Sequence, residues 1–236
     1  MRVLFIQQDH VSPTGPVGEA FAERGYDVQE FLVVPEEHFH APSVTASFPD
    51  PLDYDALVPM GAPWSVYDHD KIGTWIRDEI DFLRRGLEAA VPVLGICFGG
   101  QALAAALGGA VIPSSRPEVG WTTVATTRPD LVEPGPWFQW HGDRWVLPEG
   151  VDPIASTDVC DQAFVVGRCL GVQFHPELTP SMLDGWLGNG GDEHARALGI
   201  DPDLLVKETA AAADAAGERA RRLVNTFLDN VATAAV

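Results

Sequence analysis

Basic residues are scarce in this chain of 236 residues, where 15 Lys and Arg stand against 34 Asp and Glu and give a formal net charge of −19. Such a surface repels the phosphates of nucleic acids, so we expect no nucleic-acid partner. It also repels anionic lipid. With 46% hydrophobic and 21% charged residues, the composition is that of a globular protein and not of a disordered one.

Long apolar runs are missing as well. No run approaches the ~20 residues that a membrane-spanning helix needs. The first ten residues, MRVLFIQQDH, turn polar after a few apolar positions, which is too short for the hydrophobic region of a signal peptide. We therefore expect a cytoplasmic protein that does not bind membranes.

Cysteine is also rare, and its three copies are Cys97, Cys160 and Cys169. An odd number of widely spaced cysteines without a CxxC pair argues against a disulfide framework. Cys160 and Cys169 lie in apolar, strand-like segments that lack flanking glycines, and we expect them to be inert core residues. Cys97 lies between glycines and is the candidate for a reactive thiol.

The first half of the chain alternates between short apolar runs, typical of buried strands, and segments with helical spacing. The predicted strands cover 3–6, 31–34, 56–58 and 92–96, and the predicted helices cover about 15–24, 71–90 and 98–107. This alternation predicts an α/β fold with a mostly parallel sheet and helices on both faces.

The second half of the chain follows a different pattern. From about 111 to 174, short strands separated by Pro and Gly turns predict a short antiparallel extension of the sheet. The segment from about 180 is predicted to be helical. One face of its last helix is apolar at helical spacing and consists of Ala220, Leu223, Val224, Phe227, Leu228 and Val231. No repeat or linker interrupts the chain, so residues 1–236 are predicted to form a single domain.

The motif GICFGGQ, residues 95–101, has the G-x-nucleophile-x-G form of a nucleophile elbow with cysteine as the nucleophile. It lies between a predicted strand and a predicted helix, which places Cys97 at the carboxyl end of the sheet, where open α/β folds bind ligands. The helix N-terminus favours the thiolate, and the N–H of Phe98 can point toward a developing oxyanion. A buried structural cysteine is the alternative interpretation. Asp9 and His10, after the first strand, are expected at the same end of the sheet.

A second motif, GVQFHPE at residues 171–177, ends a predicted strand with a histidine and a carboxylate two residues apart. Side chains at i and i+2 of an extended chain point the same way, and Pro176 keeps His175 out of a helical conformation. Glu177 can thus orient one imidazole nitrogen while the other faces a nucleophile, as a cysteine nucleophile requires. A surface pair at the end of a strand is the alternative for this motif alone.

Together, GICFGGQ and GVQFHPE resemble the class I, triad-type glutamine amidotransferases, and the resemblance covers roughly residues 3–177. It implies a flavodoxin-like α/β fold whose cysteine forms a γ-glutamyl thioester with glutamine and releases ammonia. It also implies that Cys97 is the nucleophile, His175 the base and Glu177 the residue that orients the base. We expect no cofactor and no metal.

The resemblance extends to residues around the triad. Residues 60–65, MGAPWS, resemble the oxyanion loop of the family, with Ala62 in the place of its second glycine. Gly61, Ala62 and Phe98 are therefore the candidate oxyanion donors. Gln101 matches a glutamine that helps hold the substrate. The candidate substrate-binding residues are Gly99, Gln101, Trp140 and His141.

Weaker signals lie elsewhere in the sequence. His141 and Asp143 have the residue types of a catalytic pair, but a place in the wall of the site is the preferred interpretation. Residues 118–121, EVGW, resemble a family segment near the glutamine site, or form a plain turn into a strand. His38 and His40 are two residues apart, yet no further Cys or His is close in sequence, which favours a solvated loop over a metal pair.

These observations predict an enzyme that hydrolyses glutamine and feeds ammonia to a synthase on a separate polypeptide. A γ-glutamyl peptide hydrolase acting alone would use the same triad with a wider pocket for the leaving group. A non-catalytic regulatory subunit on the same fold is the alternative of another class, because fold alone does not imply activity. The intact triad positions favour an enzyme.

Overall fold

The computed structural model describes residues 1–234. Its nine strands are β1 (Arg2–Gln7), β2 (Asp27–Leu32), β3 (Ala56–Pro59), β4 (Val93–Ile96), β5 (Ala110–Thr126), β6 (Gly135–Val146), β7 (Pro153–Ser156), β8 (Asp161–Val166) and β9 (Cys169–Val172). They form one sheet in the order β2-β1-β3-β4-β9-β8-β7-β5-β6. The strands from β2 to β9 in this order run parallel, and the remaining neighbours pair antiparallel.

Helices cover both faces of the parallel strands. They are α1 (Gly15–Glu23), α2 (His69–Ile72), α3 (Ile76–Glu88), α4 (Phe98–Ala106), α5 (Pro180–Trp186), α6 (Asp192–Ala197) and α7 (Pro202–Thr226). Strand β1 shows that both faces of the sheet are buried. Val3 and Phe5 pack in one core with α1 and α7. Leu4 and Ile6 pack in the core on the other face with α3 and α4. A continuous apolar run is therefore required, as in other parallel sheets. The predicted α/β fold class is confirmed.

The predicted helix over 71–90 is in fact two helices. α2 ends at Ile72, and α3 begins only at Ile76. Between them Trp75 leaves the helical conformation, is fully buried, and donates its indole N–H to the carbonyl oxygen of Pro42 at 2.8 Å. Burying this large side chain with its polar group satisfied overrides the helical pattern.

The predicted strand over 31–34 is displaced. β2 covers 27–32 and lies at the edge of the sheet, paired only with β1. An edge strand keeps solvated positions, so its ladder includes polar residues such as Gln29 and Glu30. The apolar pair Val33 and Val34 continues past the ladder and is buried in the core instead.

The antiparallel part of the sheet is larger than the short strands predicted from the sequence. β5 is 17 residues long and β6 is 12. They pair along most of their length, with a register shift between Pro113 and Glu118 that bends the ladder. Beyond this irregularity Glu118 lies opposite His141. These strands therefore bring residues far from either motif to the edge of the site.

The C-terminal segment is helical as predicted. α5 begins at Pro180, where the hydroxyl oxygen of Thr179 accepts the N–H of Met182 at 3.2 Å and caps the helix. The predicted apolar face of the last helix is buried throughout and packs against α1 and the sheet. Within residues 1–234, no helix is both long and apolar enough to cross a membrane.

Candidate active site

Cys97 lies in the turn between β4 and α4, in a backbone conformation that only a constrained residue adopts. Its φ is 50° and its ψ is −110°. A positive φ is costly for a residue with a side chain, and such strain is found mostly at functional sites. The turn holds the thiol at the carboxyl end of β4 and at the N-terminus of α4, where partial positive charge favours a thiolate.

Glycines allow the elbow to pack this tightly. A Cβ on Gly95 would lie 2.8 Å from the Cα of Gly100, and a Cβ on Gly99 would lie 2.0 Å from the carbonyl oxygen of Pro59. The N–H of Gly99 donates to the carbonyl oxygen of Met60 at 2.9 Å. Gly99, a candidate substrate-binding residue, is not among the residues that line the cavity, and its hydrogen bond fastens α4 to the end of β3.

His175 and Glu177 follow β9 and form a buried pair. The Nδ1 of His175 donates to the Oε1 of Glu177 at 2.7 Å. Glu177 is fully buried and His175 is 6% exposed. The Nε2 of His175 is buried and has no hydrogen-bond partner within residues 1–234. This nitrogen is therefore the one available to a neighbouring thiol.

The charge state of His175 depends on its neighbours. Burial alone would lower the pKa of His175, but the Cys97 sulfur and the Glu177 carboxylate outweigh it and raise this pKa well above the ordinary value. The protonated imidazole is thereby stabilised beside the sulfur. The imidazole of His175 therefore stays protonated until the pH rises through its raised pKa.

Backbone donors surround the thiol. The N–H groups of Gly61, Ala62 and Phe98 have no hydrogen-bond acceptor in the part of the chain that the structure describes, and all three residues line the cavity beside Cys97. The N–H of Phe98 is free because the first residues of a helix have no intrahelical acceptor. Unpaired N–H groups next to a nucleophile are what an oxyanion hole requires.

Gly61 also limits the space around the imidazole. A Cβ at this position would lie 2.9 Å from the Cε1 of His175 and 3.8 Å from the Cβ of Cys97. The loop that follows β3 therefore touches both members of the pair. Only a residue without a side chain lets the backbone come this close.

Gln173 was not singled out from the sequence, yet it contacts Cys97, the candidate nucleophile. Its Nε2 donates toward the Sγ of Cys97 at 3.6 Å, and its Oε1 accepts from the Nε2 of Gln101 at 3.2 Å. Gln101 also donates to the carbonyl oxygen of Asp143 at 3.3 Å. The position of Gln173, two residues before His175 on an extended chain, is the signal that could have identified it.

A cavity of about 600 Å³ opens beside Cys97 and His175. Its wall is rich in aromatic and imidazole rings, contributed by Phe39, His40, Trp64, Trp140, Trp186 and His194. The ring of Trp186 lies 4.9 Å from that of His175, and its N–H donates to the hydroxyl of Ser12 at 3.1 Å. Trp186 has no local sequence signal and reaches the site only through the fold, whereas Trp64 belongs to the segment 60–65 that resembles the oxyanion loop of the family.

The predicted neighbours Trp140 and His141 lie on β6, in the cavity wall. The Trp140 carbonyl oxygen lies 4.0 Å from the Sγ of Cys97. His141 does not pair with the Asp143 carboxylate, which accepts instead from the hydroxyls of Ser65 and Tyr67 at 2.5 and 2.6 Å. The Nδ1 of His141 lies 2.9 Å from the backbone carbonyl oxygen of Asp143.

The remaining candidates take varied positions. His38 and His40 are exposed, and His40 lines the cavity. Asp9 lines it too, although its Oδ1 accepts the N–H of Val11 at 2.9 Å within its own loop, and burial raises the pKa of Asp9.

Burial raises the pKa of Cys169 to about 12. Its thiol is therefore inert, as expected for a core cysteine.

The family model described as glutamine amidotransferase class-I matches residues 19–187. The chain belongs to this family. The match includes the elbow and the segment 171–177, so the two motifs that carried the resemblance are inside the shared region.

Curated relatives agree with this assignment. The chain is 35% identical over 152 residues to the glutamine-hydrolyzing GMP synthase of Neisseria meningitidis, a match that covers 56% of this chain and 27% of that protein. It is 34% identical over 137 residues to the same enzyme of Thermomicrobium roseum, covering 54% of this chain and 24% of that one. The matches thus span about a quarter of the length of these relatives.

Among solved structures, a glutamine amidotransferase of Thermotoga maritima superposes with a TM-score of 0.82 at 24% identity. The superposition covers 98% of this chain and 99% of that one. At this identity the likeness supports the fold alone.

Proposed function

We propose that this chain hydrolyses the side-chain amide of glutamine through a Cys97 thioester and releases ammonia for an amidotransfer reaction. The observation that best supports the proposal is the arrangement at Cys97. A cysteine strained into an elbow adjoins an unpartnered imidazole nitrogen, and that imidazole is held by a carboxylate at 2.7 Å. A cysteine with only a packing role needs none of these features.

In the first half of the proposed reaction, the Cys97 thiolate attacks the amide carbon of glutamine while His175 holds the proton on Nε2. The carbonyl oxygen becomes an oxyanion and accepts from the N–H of Phe98 and from the loop at Gly61 and Ala62. When the C–N bond breaks, His175 gives its proton to the leaving nitrogen. Ammonia departs, and a γ-glutamyl thioester remains on Cys97.

In the second half, water attacks the thioester carbonyl and His175 takes a proton from it. The C–S bond breaks, glutamate leaves, and Cys97 returns to the thiolate beside a protonated His175. Glu177 stays ionised throughout and keeps the imidazole in the tautomer that places Nε2 toward the sulfur. His175 thus acts as an acid in the first half and as a base in the second, while Glu177 keeps the same task in both.

A second candidate, hydrolysis of a larger γ-glutamyl amide, is favoured by the size of the cavity. Its volume of about 600 Å³ lies in the range of sites that hold drug-sized ligands. The aromatic wall would suit an apolar group on the leaving amine. Both candidate reactions use the same triad, and they differ in whether the leaving amine carries a group that contacts the aromatic wall of the cavity.

The test is an assay of the purified chain for ammonia from glutamine, beside a panel of γ-glutamyl peptides. We expect Cys97→Ser to abolish turnover of either substrate while the fold is kept, because the hydroxyl lacks the acidity of the thiol. The matched control is Cys169→Ser, which should retain activity. A chain that released no ammonia and no amine from any of these substrates would support a regulatory subunit instead.

Labelling by a glutamine-like electrophile identifies the nucleophile independently. We expect mass spectrometry to find the label on Cys97 and to find Cys160 and Cys169 unmodified. A label that fell mainly on Cys160 would contradict the assignment.

A further inference from the structure

A second group of polar side chains lies next to the site, where β5, β6 and the turn before β8 meet. Glu118 and His141 are cross-strand partners, each 6% exposed, and Cys160 is partly buried beside them. The Oε2 of Glu118 lies 3.3 Å from the Nε2 of His141 and 3.6 Å from the Sγ of Cys160. All three ligand-type atoms fall within 4.8 Å of one another.

The hydrogen bonds of His141 leave a gap in this group. Its Nδ1 lies 2.9 Å from the carbonyl oxygen of Asp143. Because a carbonyl can only accept, Nδ1 carries the proton. In the neutral ring the Nε2 then presents a lone pair to the Glu118 carboxylate, which also can only accept. The Nε2 is buried and has no hydrogen-bond partner within residues 1–234. Two acceptors that face each other in this way need a positive group between them, either a proton or a metal ion.

The spacing fits a metal ion. A tetrahedral Zn²⁺ with nitrogen and oxygen ligands at about 2.0–2.1 Å separates them by roughly 3.3–3.4 Å, and a thiolate at about 2.3 Å lies roughly 3.5–3.6 Å from the oxygen. The observed separations are 3.3 and 3.6 Å. A backbone carbonyl bound to the other ring nitrogen is also how zinc-bound histidines are commonly oriented.

We propose that Glu118, His141 and Cys160 bind a divalent transition-metal ion, with Zn²⁺ the ion that this mixed ligand set suits best. Binding displaces the Cys160 proton to solvent. The carboxylate is steadied by the Thr157 hydroxyl, which donates to its Oε2 at 3.0 Å, and by the Gln162 amide at 2.9 Å. These three protein ligands leave the fourth tetrahedral position of the ion to a water molecule.

The role of the ion is structural positioning, and it is independent of the proposed glutamine hydrolysis. It would join β5 and β6 to the turn before β8. His141 would be held by the metal, and its neighbour Trp140 carries the carbonyl oxygen that lies 4.0 Å from the Sγ of Cys97. An ordered wall of the cavity is the expected consequence.

The test uses the whole chain in a Cys97→Ser background, so that the other thiol–imidazole pair cannot supply a sulfur ligand. Metal-depleted protein is titrated with Co²⁺, whose visible spectrum reports geometry and whose near-ultraviolet charge-transfer band reports a thiolate ligand. We expect one equivalent of Co²⁺ to bind with a sulfur band, and one equivalent of Zn²⁺ to displace it.

Matched variants identify the ligands. Cys160→Ser should lose the sulfur band and weaken Co²⁺ binding by more than ~100-fold. Loss of a residue that only orients a metal ligand already lowers metal affinity by up to ~100-fold, and loss of the ligand itself should cost more. Cys169→Ser should change neither the band nor the affinity. If Cys160→Ser fails to fold, Cys160→His should still bind Zn²⁺ but without a sulfur band from Co²⁺. Removing zinc with a chelator should lower the Tm of the Cys169→Ser variant and leave that of Cys160→Ser unchanged.

The opposite results would overturn the proposal. A parent protein that binds no Co²⁺ and shows no change of Tm with chelator would mean that a proton, shared by His141 and Glu118, fills the gap. A sulfur band that survives Cys160→Ser would place the metal elsewhere.

Discussion

The three cysteines differ in the features that decide reactivity. Cys97 lies at a helix N-terminus next to an imidazole, which is the setting of a reactive thiolate. Burial raises the pKa of Cys169 to about 12, and burial with the nearby Glu118 carboxylate raises that of Cys160 to about 12 in the metal-free chain. The proposed nucleophile is therefore distinguished from the other two cysteines by its surroundings, since all three thiols are free.

Substitutions at His175 and Glu177 test the proposed base and its partner. We expect His175→Ala to reduce kcat/KM by about 10⁴-fold or more, because members of a triad act as a unit. Glu177→Gln should cost about 10²-fold, since it disturbs the orientation of the imidazole without removing the base. It should also lower the pKa of His175, because one of the two charges that raise it is gone. The pH profile of kcat/KM measures both effects.

Asp143→Asn is the matched control for Glu177→Gln, because both variants replace a carboxylate near the cavity with an amide. Asp143 lines the same cavity, but its carboxylate accepts from Ser65 and Tyr67 and not from a histidine. We expect this variant to keep most of the activity and an unshifted pH profile. Near-full turnover by Glu177→Gln, together with loss of turnover in Asp143→Asn, would reassign the orienting carboxylate.

At this scale, the sequence alone could reveal residues that lie within short motifs. Cys97, His175 and Glu177 were predicted because a turn or an extended pair fixes their geometry locally. The approach of Trp186 to His175 depends on packing between distant segments, which no local pattern encodes. Gln173 was overlooked although its place two residues before His175 is a local signal. The substrate-binding role of Gly99 stays a prediction, and the structure shows in addition that this position passes close to the end of β3.

Helix α3 carries a buried acid that titrates near neutrality. Glu79 is fully buried, its Oε1 accepts from the Nε2 of Gln8 at 2.7 Å, and its Oε2 has no partner within residues 1–234. Burial, opposed by the Gln8 hydrogen bond, raises the pKa of Glu79 from 4.5 to about 8. The neutral acid is therefore the folded form below that pH.

The sign of the effect on stability follows from proton binding. Between pH 4.5 and 8 the folded chain keeps a proton on Glu79 that the unfolded chain has lost. This contribution to the free energy of unfolding is therefore present at low pH and falls by up to about 1.4 kcal/mol per pH unit across the window. Glu79→Gln should remove this dependence and be more stable than the wild type at pH 8.5. Urea unfolding at several pH values measures it.

Glu88→Gln is the control on the same helix, because Glu88 is exposed. It should leave the dependence of stability on pH as it is in the wild type. If Glu79→Gln and Glu88→Gln showed the same pH dependence, Glu79 would not hold its proton in the folded chain.

The elements themselves were predictable where one pattern covered the whole length. Strands β1, β3 and β4 and helices α1 and α4 follow their apolar runs or spacing closely. The break before α3 was missed because the requirement is tertiary: Trp75 must reach both the core and the Pro42 carbonyl. The lengths of β5 and β6 were underestimated because Pro and Gly within them indicate turns. The structure accommodates Pro117 and Gly142 at the register shift and keeps Gly120 and Pro136 paired within the ladder.

At the scale of the whole molecule, membership of the glutamine amidotransferase class-I family raises the question of which protein uses the ammonia that we propose is released. The curated relatives are named as GMP synthases, and each match covers about a quarter of that protein or less. We propose that a synthase receives the ammonia here. A glutaminase that supplies another protein benefits from being slow alone, because free ammonia would otherwise be lost.

The last prediction concerns the activity of the isolated chain. The loop at Gly61 and Ala62 has unpaired N–H groups and touches His175, so a small rotation there would aim or misaim an oxyanion donor. We expect weak glutaminase activity from the chain alone, on the hypothesis that a docked partner is needed to aim this loop fully. A γ-glutamyl hydrolase that acts alone would instead have a preformed oxyanion hole. Steady-state kinetics of the purified chain on glutamine and on γ-glutamyl peptides separates the two, and a kcat/KM of ~10⁴ M⁻¹s⁻¹ or more on a peptide would refute dependence on a partner.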